Sequence, residues 1–464
     1  MSAQPTTFRH VRRIHMVGIG GAGMCGIAEV LASMGFQVSG SDLSHSDITE
    51  RLESLGIKVW YEHTAEQAEG ADVVVFSSAV RPENAEVRYA REHRIPTIPR
   101  SEMLGELMRL KRGIAISGTH GKTTTTSIIG SILTHAGLAP TIIVGGKVRA
   151  MGTGAATGTG EFLVAEADEF DRSFLRLSPT LAVITTIEAE HLDTYLDIES
   201  IKDAFVEFAN KVPFYGVVVA CADDTHTQEV LPRIKRPILT YGRSETASFR
   251  ILEENYSGLS STFVLQTPEG DALRFELQIP GRHNVLNATA AVVIALETGL
   301  SPKVIREALS QFNGVHRRFE RKGEVNGALL FDDYAHHPTE VRVTLEAAKQ
   351  CWPERRLVAV FQPHLYTRTR DFADEFAKSL SIADIVLLLD IYPSRERPLP
   401  NVTSELIAEP LRVAGSTVKL ISSELSIPDQ IRGHIKPNDI VIAMGAGSIT
   451  NFVQQLVNDA DNTK

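Results

Sequence analysis

A buried strand, a glycine loop and a helix start follow one another between residues 113 and 133, and this order restricts the fold more than any other feature. Residues 114–127 read Ile-Ala-Ile-Ser-Gly-Thr-His-Gly-Lys-Thr-Thr-Thr-Thr-Ser. The apolar run before Gly118 predicts the strand, and apolar residues at helical spacing after Ser127 predict the helix. A loop in this context surrounds phosphate oxygens with amide groups, and the helix N-terminus adds positive partial charge.

In a phosphate loop of this kind, Lys122 reaches the β- and γ-phosphates of a nucleotide and the hydroxyl of Thr123 binds magnesium. The strict motif has glycine where this chain has Ile116, so the loop is a shortened variant. An ordinary glycine turn is the alternative. The Lys-Thr pair, the flanking periodicities and the run of four threonines favour nucleotide binding.

A second glycine loop, Gly-Ile-Gly-Gly-Ala-Gly-Met at residues 18–24, follows a predicted strand and precedes a predicted helix. This arrangement is typical of a Rossmann-like nucleotide fingerprint. Asp42 ends the next predicted strand, close to where a ribose-binding acid is expected. Ser77 and Ser78 follow the predicted strand 72–76, and strand ends are common ligand positions. A nicotinamide dinucleotide and another phosphate-bearing ligand are equally open for this loop, and a tight strand–helix turn without a ligand is the alternative.

Acidic and polar groups end further predicted strands in the centre of the chain. The run 166–171 holds four acids directly after a core strand and can bind Mg²⁺, with a solvated acidic loop as the alternative. His191 alone is more typical of a structural histidine, but beside a phosphate loop it could contact a metal or the transferred phosphate. Asn284 and Asn287 lie one helical turn apart and could face a ligand together. Alternating residues at 263–279 predict an antiparallel hairpin.

From residue 328 onward, predicted strands and helices alternate, which indicates a doubly wound parallel sheet. The predicted strands are 328–331, 357–361, 385–389, 418–421 and 440–444. Two of their ends carry the polar runs 332–338 and 362–370, and ligands bind outside the carboxyl ends of such strands. Basic groups at these ends of an acidic protein indicate an anionic substrate group; capping and salt bridges are the alternative.

Composition limits the class of protein. A length of 464 residues suggests about three domains, and 43% apolar with 22% charged residues is typical of a globular protein. The net charge of −10 argues against a nucleic-acid-binding surface. Three scattered cysteines indicate neither a disulfide framework nor a zinc site. No signal segment or membrane span is predicted, so we expect a cytoplasmic enzyme.

Motifs along nearly the whole chain, in the same order, resemble those of the Mur ligase family. They are the loops 18–24 and 118–125, Ser-Ser-Ala-Val at 77–80, Gly-Arg-His-Asn-Val-Leu-Asn-Ala at 281–288, Arg-Arg-Phe at 317–319, Asp-Asp-Tyr-Ala-His-His-Pro at 332–338 and Gln-Pro-His at 362–364. The resemblance implies an α/β protein with three domains. These are a Rossmann-like UDP-sugar-binding domain at 1–109, a P-loop ATPase-like α/β domain with an antiparallel hairpin region at 110–315, and a Rossmann-like, doubly wound domain at 316–464 that contributes to amino-acid and ATP binding.

The opening motifs resemble the family member that acts at the first step, and they imply its reaction. That reaction joins L-alanine to UDP-N-acetylmuramate through an acyl phosphate, with ATP and Mg²⁺ as cofactors, in bacterial cell-wall synthesis. No nucleic-acid or membrane partner is implied. The oligomeric state, monomer or dimer, and the strictness for L-alanine over glycine or L-serine stay open. A related ligase that attaches a whole peptide is the close rival. A nicotinamide-dependent oxidoreductase, which depends on the first glycine loop alone, is the rival from another class.

The resemblance also implies roles for individual residues. The catalytic residues are expected to be Lys122, His191, His336, His364 and Arg368. ATP contacts are expected from Gly118, Thr119, His120, Gly121, Lys122, Thr123, Thr124, Asn287 and Arg318. UDP-sugar contacts are expected from Gly18, Gly20, Gly21, Ala22, Gly23, Asp42, Ser77 and Ser78. The amino acid is expected at Tyr334, His336, His364 and Arg368, and the metal at Thr123, Glu166 and His191.

One feature of the family is not carried over to this chain. Sibling ligases for later steps use a modified lysine near position 206, where this chain has Val206. The nearest lysines are Lys202 and Lys211. The resemblance therefore does not extend to a carbamylated lysine, and whether any lysine of this chain is carbamylated stays open.

Overall fold

The computed structural model describes residues 8, 10–148, 153–190, 194–394 and 396–461. Strands and helices alternate through most of the chain, as predicted. The chain forms two compact units. The first comprises Met1–Glu253, Val264–Phe275 and Leu286–Gln311, and the second comprises Glu254–Phe263, Glu276–Val285 and Phe312–Lys464.

The strands form three sheets. They are β1 Arg13–Val17, β2 Gln37–Ser41, β3 Lys58–Trp60, β4 Val73–Phe76, β5 Thr97–Pro99, β6 Arg112–Ser117, β7 Thr141–Val148, β8 Thr153–Ala156, β9 Phe162–Glu166, β10 Leu181–Ile184, β11 Val217–Cys221, β12 Ile238–Gly242, β13 Phe249–Ser257, β14 Ser260–Gln266, β15 Ala272–Leu277, β16 Glu320–Val325, β17 Ala328–Asp333, β18 Leu357–Phe361, β19 Ile385–Leu389, β20 Val418–Ile421 and β21 Ile440–Met444.

Helices connect most of these strands. They are α1 Ala22–Ser33, α2 Asp47–Ser54, α3 Ala85–Glu92, α4 Arg100–Arg109, α5 Lys122–His135, α6 Ile198–Asn210, α7 Thr225–Val230, α8 Arg282–Glu297, α9 Pro302–Ser310, α10 Pro338–Cys351, α11 Tyr366–Asp371, α12 Ala373–Leu380, α13 Glu405–Val413, α14 Ile427–Arg432 and α15 Ile449–Asp461. Short 3-10 segments lie at Ala65–Ala68, Phe170–Arg176 and Leu231–Arg233. In the part of the chain that the structure describes, every helix is too short or too polar to cross a membrane.

The five N-terminal strands form a parallel sheet in the order β3-β2-β1-β4-β5. Strand order reverses at β1, because β2 pairs on one side of it and β4 on the other. The carboxyl ends of parallel strands share one edge, and a ligand crevice opens at such a switch point. The fold therefore places the glycine loop after β1 at the position where a nucleotide ligand is expected.

The second sheet has the order β15-β14-β13-β12-β11-β10-β6-β9-β7-β8. The strand that precedes the phosphate loop, β6, lies inside it between β10 and β9, in register Ile116↔Val183 and Ile116↔Glu166. Its neighbours are parallel to it, so their ends surround the loop. The predicted hairpin is present as β14 and β15, which are joined by a turn in which the Thr267 amide donates to the Asp271 carbonyl at 2.9 Å.

One continuous apolar core lies between the first two sheets and the helices α1, α4 and α6. Its aromatic centre is formed by Phe174, which stacks on Phe208 at 5.1 Å and meets Phe205 edge-on at 5.3 Å. All three side chains are fully buried, and each contributes about 1.5–3 kcal/mol of hydrophobic stabilisation. This core fixes the sheet that carries the phosphate loop.

The third sheet, in the second unit, has the order β16-β17-β21-β18-β19-β20. Only its edge strand β16 is antiparallel; the other pairs are parallel. Successive residues alternate between two core clusters, so that Phe331 and Phe361 pack on one face while Leu330 and Val360 pack on the other. Helices cover both faces, which confirms the predicted doubly wound fold.

Candidate active site

The glycine loop after β1 is held by the end of β2. The amides of Gly18 and Ile19 donate to the carbonyl of Ser41 at 2.8 and 3.0 Å. The amide of Gly20 donates to Oδ2 of Asp42 at 2.9 Å, and a Cβ at Gly20 would lie 2.9 Å from the same oxygen. A Cβ at this position would displace the Asp42 carboxylate from the loop. The structure therefore brings Gly18, Gly20 and Asp42 together, with Asp42 bonded to the loop itself.

The loop after β4 lies against the same glycine loop. The Ser77 amide donates to the carbonyl of Val17 at 3.1 Å. A Cβ placed on Gly18 would lie 3.2 Å from the Cβ of Ser77. Ser78 is the next residue of this turn and is exposed. The predicted UDP-sugar residues Gly21, Ala22 and Gly23 lie at the start of α1.

Arg100 is a further candidate that the sequence did not single out. One guanidinium nitrogen of Arg100 lies 3.0 Å from where a Cβ of Gly23 would be. Arg100 begins α4 directly after β5. A cation beside a helix N-terminus and a glycine loop suits a diphosphate ligand. A basic residue directly after a strand was the only sequence feature that could have indicated it.

The phosphate loop is fixed by the end of β10. The Thr119 amide donates to the Thr186 carbonyl at 2.9 Å, and the His120 amide donates to the Thr186 hydroxyl at 3.1 Å. The hydroxyl of Thr185 donates to the carbonyl of His120. A Cβ at Gly118 would lie 2.0 Å from this hydroxyl oxygen, so glycine is required there.

Gly121 begins α5 in a left-handed conformation with φ of 85°. A Cβ at this position would lie 2.4 Å from Oδ1 of Asn287. Asn287 belongs to α8 and is buried. The structure therefore brings together the predicted ATP-site residues Gly121 and Asn287, which are far apart in sequence.

The ammonium of Lys122 is held by an acidic side chain. It donates to both carboxylate oxygens of Glu169 at 2.9 Å, to the Gly118 carbonyl at 2.7 Å and to the Thr119 carbonyl at 3.3 Å. Burial alone would lower the pKa of Lys122, but the charges of Glu169 and Asp168 raise it above its ordinary value. Burial raises the pKa of Glu169, which Lys122 opposes. Lys122 therefore stays a cation in the loop.

Glu169 is a further candidate site residue, which the sequence indicated only as one of four acids. Its backbone carbonyl accepts a hydrogen bond from the buried hydroxyl of Tyr195 at 2.7 Å. The following residues Asp171 and Arg172 have φ of 53° and 60°, which are strained for residues with a side chain. A tight turn thus holds Glu169 against Lys122, and sequence spacing alone gives no access to such a pairing.

Two of the three predicted metal-binding residues, Glu166 and Thr123, lie in the described part of the chain. Glu166 is the last residue of β9 and pairs in register with Ile116 of β6, so its carboxylate lies at the loop edge of the sheet. Thr123 lies in the first turn of α5. His191, which was expected to be catalytic and to bind metal, lies outside the described residues.

A second polar cluster lies in the second unit, at the ends of β17 and β18. The ring centroids of Tyr334 and His336 are 5.2 Å apart, and those of His336 and His364 are 5.9 Å apart. The guanidinium carbons of Arg317 and Arg318 lie 4.9 and 5.5 Å from the Tyr334 ring centroid, within cation–π range. The structure therefore brings together three of the four predicted amino-acid-site residues, with two arginines beside them.

Arg318 also has an acidic partner, Glu340 of α10. One guanidinium nitrogen of Arg318 lies 3.4 Å from Oε1 of Glu340, while Oε2 accepts from the His336 amide at 3.0 Å. Glu340 and the N-cap residue His337 form a capping box at the start of α10. The same carboxylate thus orients both a predicted ATP-binding arginine and a predicted catalytic histidine.

His364 is kept neutral by its surroundings. Burial, with the neighbouring charges of His336 and Arg368, lowers the pKa of His364 to about 4. Its ring also stacks on Tyr392 with centroids 5.9 Å apart. Arg368, the fourth predicted amino-acid-site residue, lies on α11 directly after this loop. A neutral imidazole beside a guanidinium can accept a hydrogen bond while the guanidinium binds an anion.

The lysines near position 206 have other partners. Lys202 is buried and forms ion pairs with Glu199 at 2.7 Å and with Glu229. These hydrogen bonds raise the pKa of Lys202. Lys211 lies 3.6 Å from Glu207. A protonated lysine in an ion pair is a poor nucleophile towards carbon dioxide.

Three family models match this chain in order. They are "Mur ligase family, catalytic domain" at residues 13–112, "Mur ligase middle domain" at residues 116–295 and "Mur ligase, glutamate ligase domain" at residues 317–447. The UDP-N-acetylmuramate–L-alanine ligase of Trichlorobacter lovleyi is 50% identical over 452 residues, which cover 97% of this chain and 99% of the relative. The enzyme of the same name from Salinibacter ruber is 48% identical over 466 residues, covering 99% and 98%.

Solved structures agree with these relatives. The UDP-N-acetylmuramate-alanine ligase from Thermotoga maritima has a TM-score of 0.83 at 29% identity and covers 98% of this chain and 100% of its own. A murein peptide ligase from Psychrobacter arcticus 273-4 has a TM-score of 0.71 at 25% identity, covering 97% and 99%. With half of its residues shared along the whole length of curated members, this chain belongs to the Mur ligase family.

Proposed function

We propose that this chain is an ATP-dependent ligase that joins L-alanine to UDP-N-acetylmuramate in the synthesis of peptidoglycan. The observation that carries the proposal is the extent of similarity to relatives of that name, about half of all positions over nearly the full length of both chains. The phosphate loop, with its cationic Lys122, supports the ATP dependence. The cytoplasm, where ATP and sugar nucleotides are available, is the compartment we propose.

The reaction has to activate a carboxylate, which is a poor electrophile. An oxygen of the UDP-N-acetylmuramate carboxylate attacks the γ-phosphorus of ATP, ADP leaves, and an acyl phosphate forms. The amine of L-alanine then attacks the acyl carbon, and the tetrahedral intermediate expels inorganic phosphate as the amine loses a proton. All these species are anionic, so positioned cations stabilise the transition states most effectively.

Lys122 is the cation that we assign to the transferred phosphate. An ammonium has three donors, and in this structure they are directed at Glu169 and at two carbonyls of the loop. A phosphate oxygen would replace one of these acceptors. Because Glu169 holds the ammonium at the mouth of the loop, Lys122 is oriented before the phosphate arrives, which reduces the entropy lost on binding.

Mg²⁺ is the second cofactor we propose, held by the hydroxyl of Thr123 and the carboxylate of Glu166. Hard oxygen ligands of this kind, few in number, fit Mg²⁺. Both groups belong to elements that meet at the loop edge of the second sheet. When bound, the ion would neutralise charge on the nucleotide phosphates. His191 remains a proposed further ligand.

The remaining substrate groups are assigned by charge. Arg368 would bind the carboxylate of L-alanine, since guanidinium pairs with carboxylate through two parallel hydrogen bonds. The neutral His364 beside it would accept a hydrogen bond from the attacking amine, with His336 and Tyr334 lining the same cluster. The glycine loop 18–23 and Arg100 would bind the diphosphate of the sugar nucleotide. We retain the domain limits 1–109, 110–315 and 316–464, which the positions of the three family-model matches support.

The proposal is tested by ADP release with UDP-N-acetylmuramate, ATP and a panel of acceptors. We expect kcat/KM to be highest for L-alanine, lower for glycine and L-serine, and negligible for D-alanine. Preference for a peptide that begins with L-alanine would instead favour a peptide-ligase function. The murein peptide ligase from Psychrobacter arcticus, to whose structure this chain is similar, bears that name. Release of ADP with none of the acceptors would contradict an amide ligase.

A further inference from the structure

A buried polar network lies beneath the glycine loop of the first sheet and has no part in the function described above. Its centre is Glu86 of α3, whose side chain is 0% exposed. It is surrounded by His15 of β1, Ser41 at the end of β2 and His63 after β3. A buried carboxylate is costly unless it is fully hydrogen-bonded, so the network requires an explanation.

The carboxylate of Glu86 accepts hydrogen bonds from three side chains. The Ser41 hydroxyl lies 2.8 and 2.9 Å from its two oxygens. Nδ1 of His63 lies 2.6 Å from Oε1, and Nε2 of His15 bonds Oε2. On its other side, Nδ1 of His15 lies 3.0 Å from the hydroxyl of Ser39. Each oxygen of Glu86 therefore has hydrogen-bond partners, and a carboxylate can only accept from them.

This arrangement decides which nitrogen of His63 carries a proton. An ionised carboxylate only accepts, so the ring nitrogen that faces it, Nδ1, must donate. A neutral imidazole has one N–H, which leaves Nε2 of His63 as an acceptor. Nε2 has no hydrogen-bond partner among the described residues, and the side chain is 20% exposed. The hydrogen bond to Glu86 thus leaves Nε2 of His63 as an acceptor for a ligand at this edge of the sheet.

The network is coupled to the glycine loop through Ser41. The hydroxyl of Ser41 bonds Glu86, while its carbonyl accepts the amides of Gly18 and Ile19. Asp42, the next residue, bonds the Gly20 amide. The acceptor of His63 therefore stands at the same carboxyl edge of the sheet as the loop assigned to the sugar nucleotide.

We infer that Glu86 is a positioning residue for the nucleotide-sugar site, which fixes His63 with Nε2 as the acceptor for a hydrogen-bond donor of the uridine. The inference rests on the proposed function, because it takes the ligand of this sheet edge to be a uridine diphosphate sugar. Uridine offers two kinds of donor, the ribose hydroxyls and the N3–H of the base. Glu86 does not touch the ligand; it acts through His63 and Ser41.

The test compares wild-type protein with Glu86→Met, which removes the acceptor at similar volume. In the variant the Ser41 hydroxyl, 3.0 Å from Nδ1 of His63, becomes the donor to that nitrogen, and the proton moves to Nε2. Glu83→Gln, an exposed acid three positions earlier, is the matched control. Imidazole nitrogen shifts in ¹⁵N-histidine-labelled protein at pH 8, assigned with His63→Leu, report the tautomer. Calorimetry with UDP and UDP-N-acetylmuramate reports affinity.

We expect an Nδ1-protonated His63 in the wild type and an Nε2-protonated His63 in Glu86→Met. The loss of one hydrogen bond should weaken UDP binding about three- to tenfold, with the KM for ATP unchanged and Glu83→Gln like the wild type. UDP methylated at N3 and UDP lacking ribose hydroxyls identify the donor. The analogue that lacks the donor should bind the wild type and Glu86→Met with equal affinity.

Two results would overturn the inference. One is a wild-type His63 protonated on Nε2; the other is a folded Glu86→Met that binds UDP as tightly as the wild type. If Glu86→Met does not fold, His63→Leu takes its place in the binding assay, and unchanged UDP affinity there has the same meaning. Failure of the wild type itself to bind either ligand would count against the proposed function as well.

Discussion

At the scale of single residues, the candidate site depends on charges that are paired before any substrate binds. Lys122 shares its donors between Glu169 and the loop, and Arg318 shares its own between Glu340 and the Tyr334 ring. Such pairs hold long side chains in one rotamer, which lowers the entropy lost when an anion binds.

Replacing Lys122 by alanine should reduce ADP formation at least about 100-fold, because the transferred phosphate loses its positioned cation. The fold should survive, because burial favours the neutral form of Glu169 once the opposing charge of Lys122 is removed. ADP release and calorimetry with UDP-N-acetylmuramate measure the two effects, and the sugar nucleotide should bind as before. Lys303→Ala, an exposed lysine, is the control. Activity of Lys122→Ala near that of the control would remove Lys122 from the phosphate site.

Replacing Arg368 by lysine should raise the apparent KM for L-alanine, because an ammonium cannot reproduce the two parallel bonds of a guanidinium. A lost charge-assisted pair costs about 1.5–3 kcal/mol, or roughly ten- to a hundredfold in kcat/KM. Arg370→Lys on the same helix is the matched control, since Arg370 pairs with Asp371 at 2.6 Å. Kinetics with alanine varied decide the point. Equal alanine kinetics in both variants would return Arg368 to a structural role.

The pH dependence of stability should report His364. Its pKa is lowered to about 4 by burial and by the charges of His336 and Arg368. An unfolded chain binds this proton at about pH 6.5, so the unfolded state is favoured increasingly as pH falls from about 6.5 to about 4. His364→Asn should remove about 1–2 kcal/mol of that loss, allowing for solvent screening of a half-buried ring.

Urea unfolding at pH 7.5 and at pH 4.5 measures the difference, with the exposed His93→Asn as control. The free energy of unfolding should fall less in His364→Asn than in the wild type or the control. Parallel losses in all three proteins would mean that His364 is protonated as readily in the folded as in the unfolded chain.

Residue partners were the part of the site that the sequence could not supply. The glycine loops and their polar neighbours are local patterns, so their individual residues could be named as candidates from the sequence. Glu169 lies 47 positions from Lys122, and Glu86 lies 71 positions from His15. Such pairs form only when parallel strands bring their carboxyl ends to one edge, so neither spacing nor residue type indicates which acid meets which base.

At the scale of elements, the phosphate loop is a rigid connection between β6 and α5. Its glycines occupy places where a Cβ would meet Thr185 and Asn287, so the loop is shaped by β10 and α8 as well as by its own sequence. The elements predicted best were central strands such as 357–361 and 440–444, because they are continuous apolar runs buried on both faces. The edge strands Lys58–Trp60 and Thr97–Pro99 were missed, since three residues carry no periodicity.

Replacing Gly121 by alanine should lower ATP affinity. It should also lower the free energy of unfolding by more than backbone strain alone would. Its φ of 85° costs a residue with a Cβ about 1–2 kcal/mol, and that Cβ would lie 2.4 Å from Oδ1 of Asn287. Gly137→Ala, at the other end of the same helix, is a matched control with φ of 75° and open space around it. Urea unfolding and ATP calorimetry compare the two variants.

The excess cost of Gly121→Ala over Gly137→Ala should shrink when Asn287→Ala is added, because the clash is then relieved. Equal costs for the two glycine variants, or no coupling with Asn287, would show that the contact between the loop and α8 is not as close as the structure has it.

At the scale of the whole molecule, the fold class was predictable because alternation of strands and helices is written locally in hydrophobic periodicity. The family was predictable because its motifs recur in order along nearly the entire chain, and three family models now match the same stretches. The domain limits at 109 and 315 stay predictions. An oxidoreductase reading used one glycine loop, whereas family membership accounts for both loops and for the polar strand ends of the third sheet.

The central claim, that ATP activates the carboxylate of UDP-N-acetylmuramate for attack by L-alanine, is tested most directly with ¹⁸O in that carboxylate. If an acyl phosphate forms, one labelled oxygen leaves with the phosphoryl group. Mass spectrometry after a single turnover with ATP and L-alanine should therefore find one ¹⁸O in inorganic phosphate and the other in the new amide carbonyl. Unlabelled phosphate, or ADP release without amide product, would contradict the account.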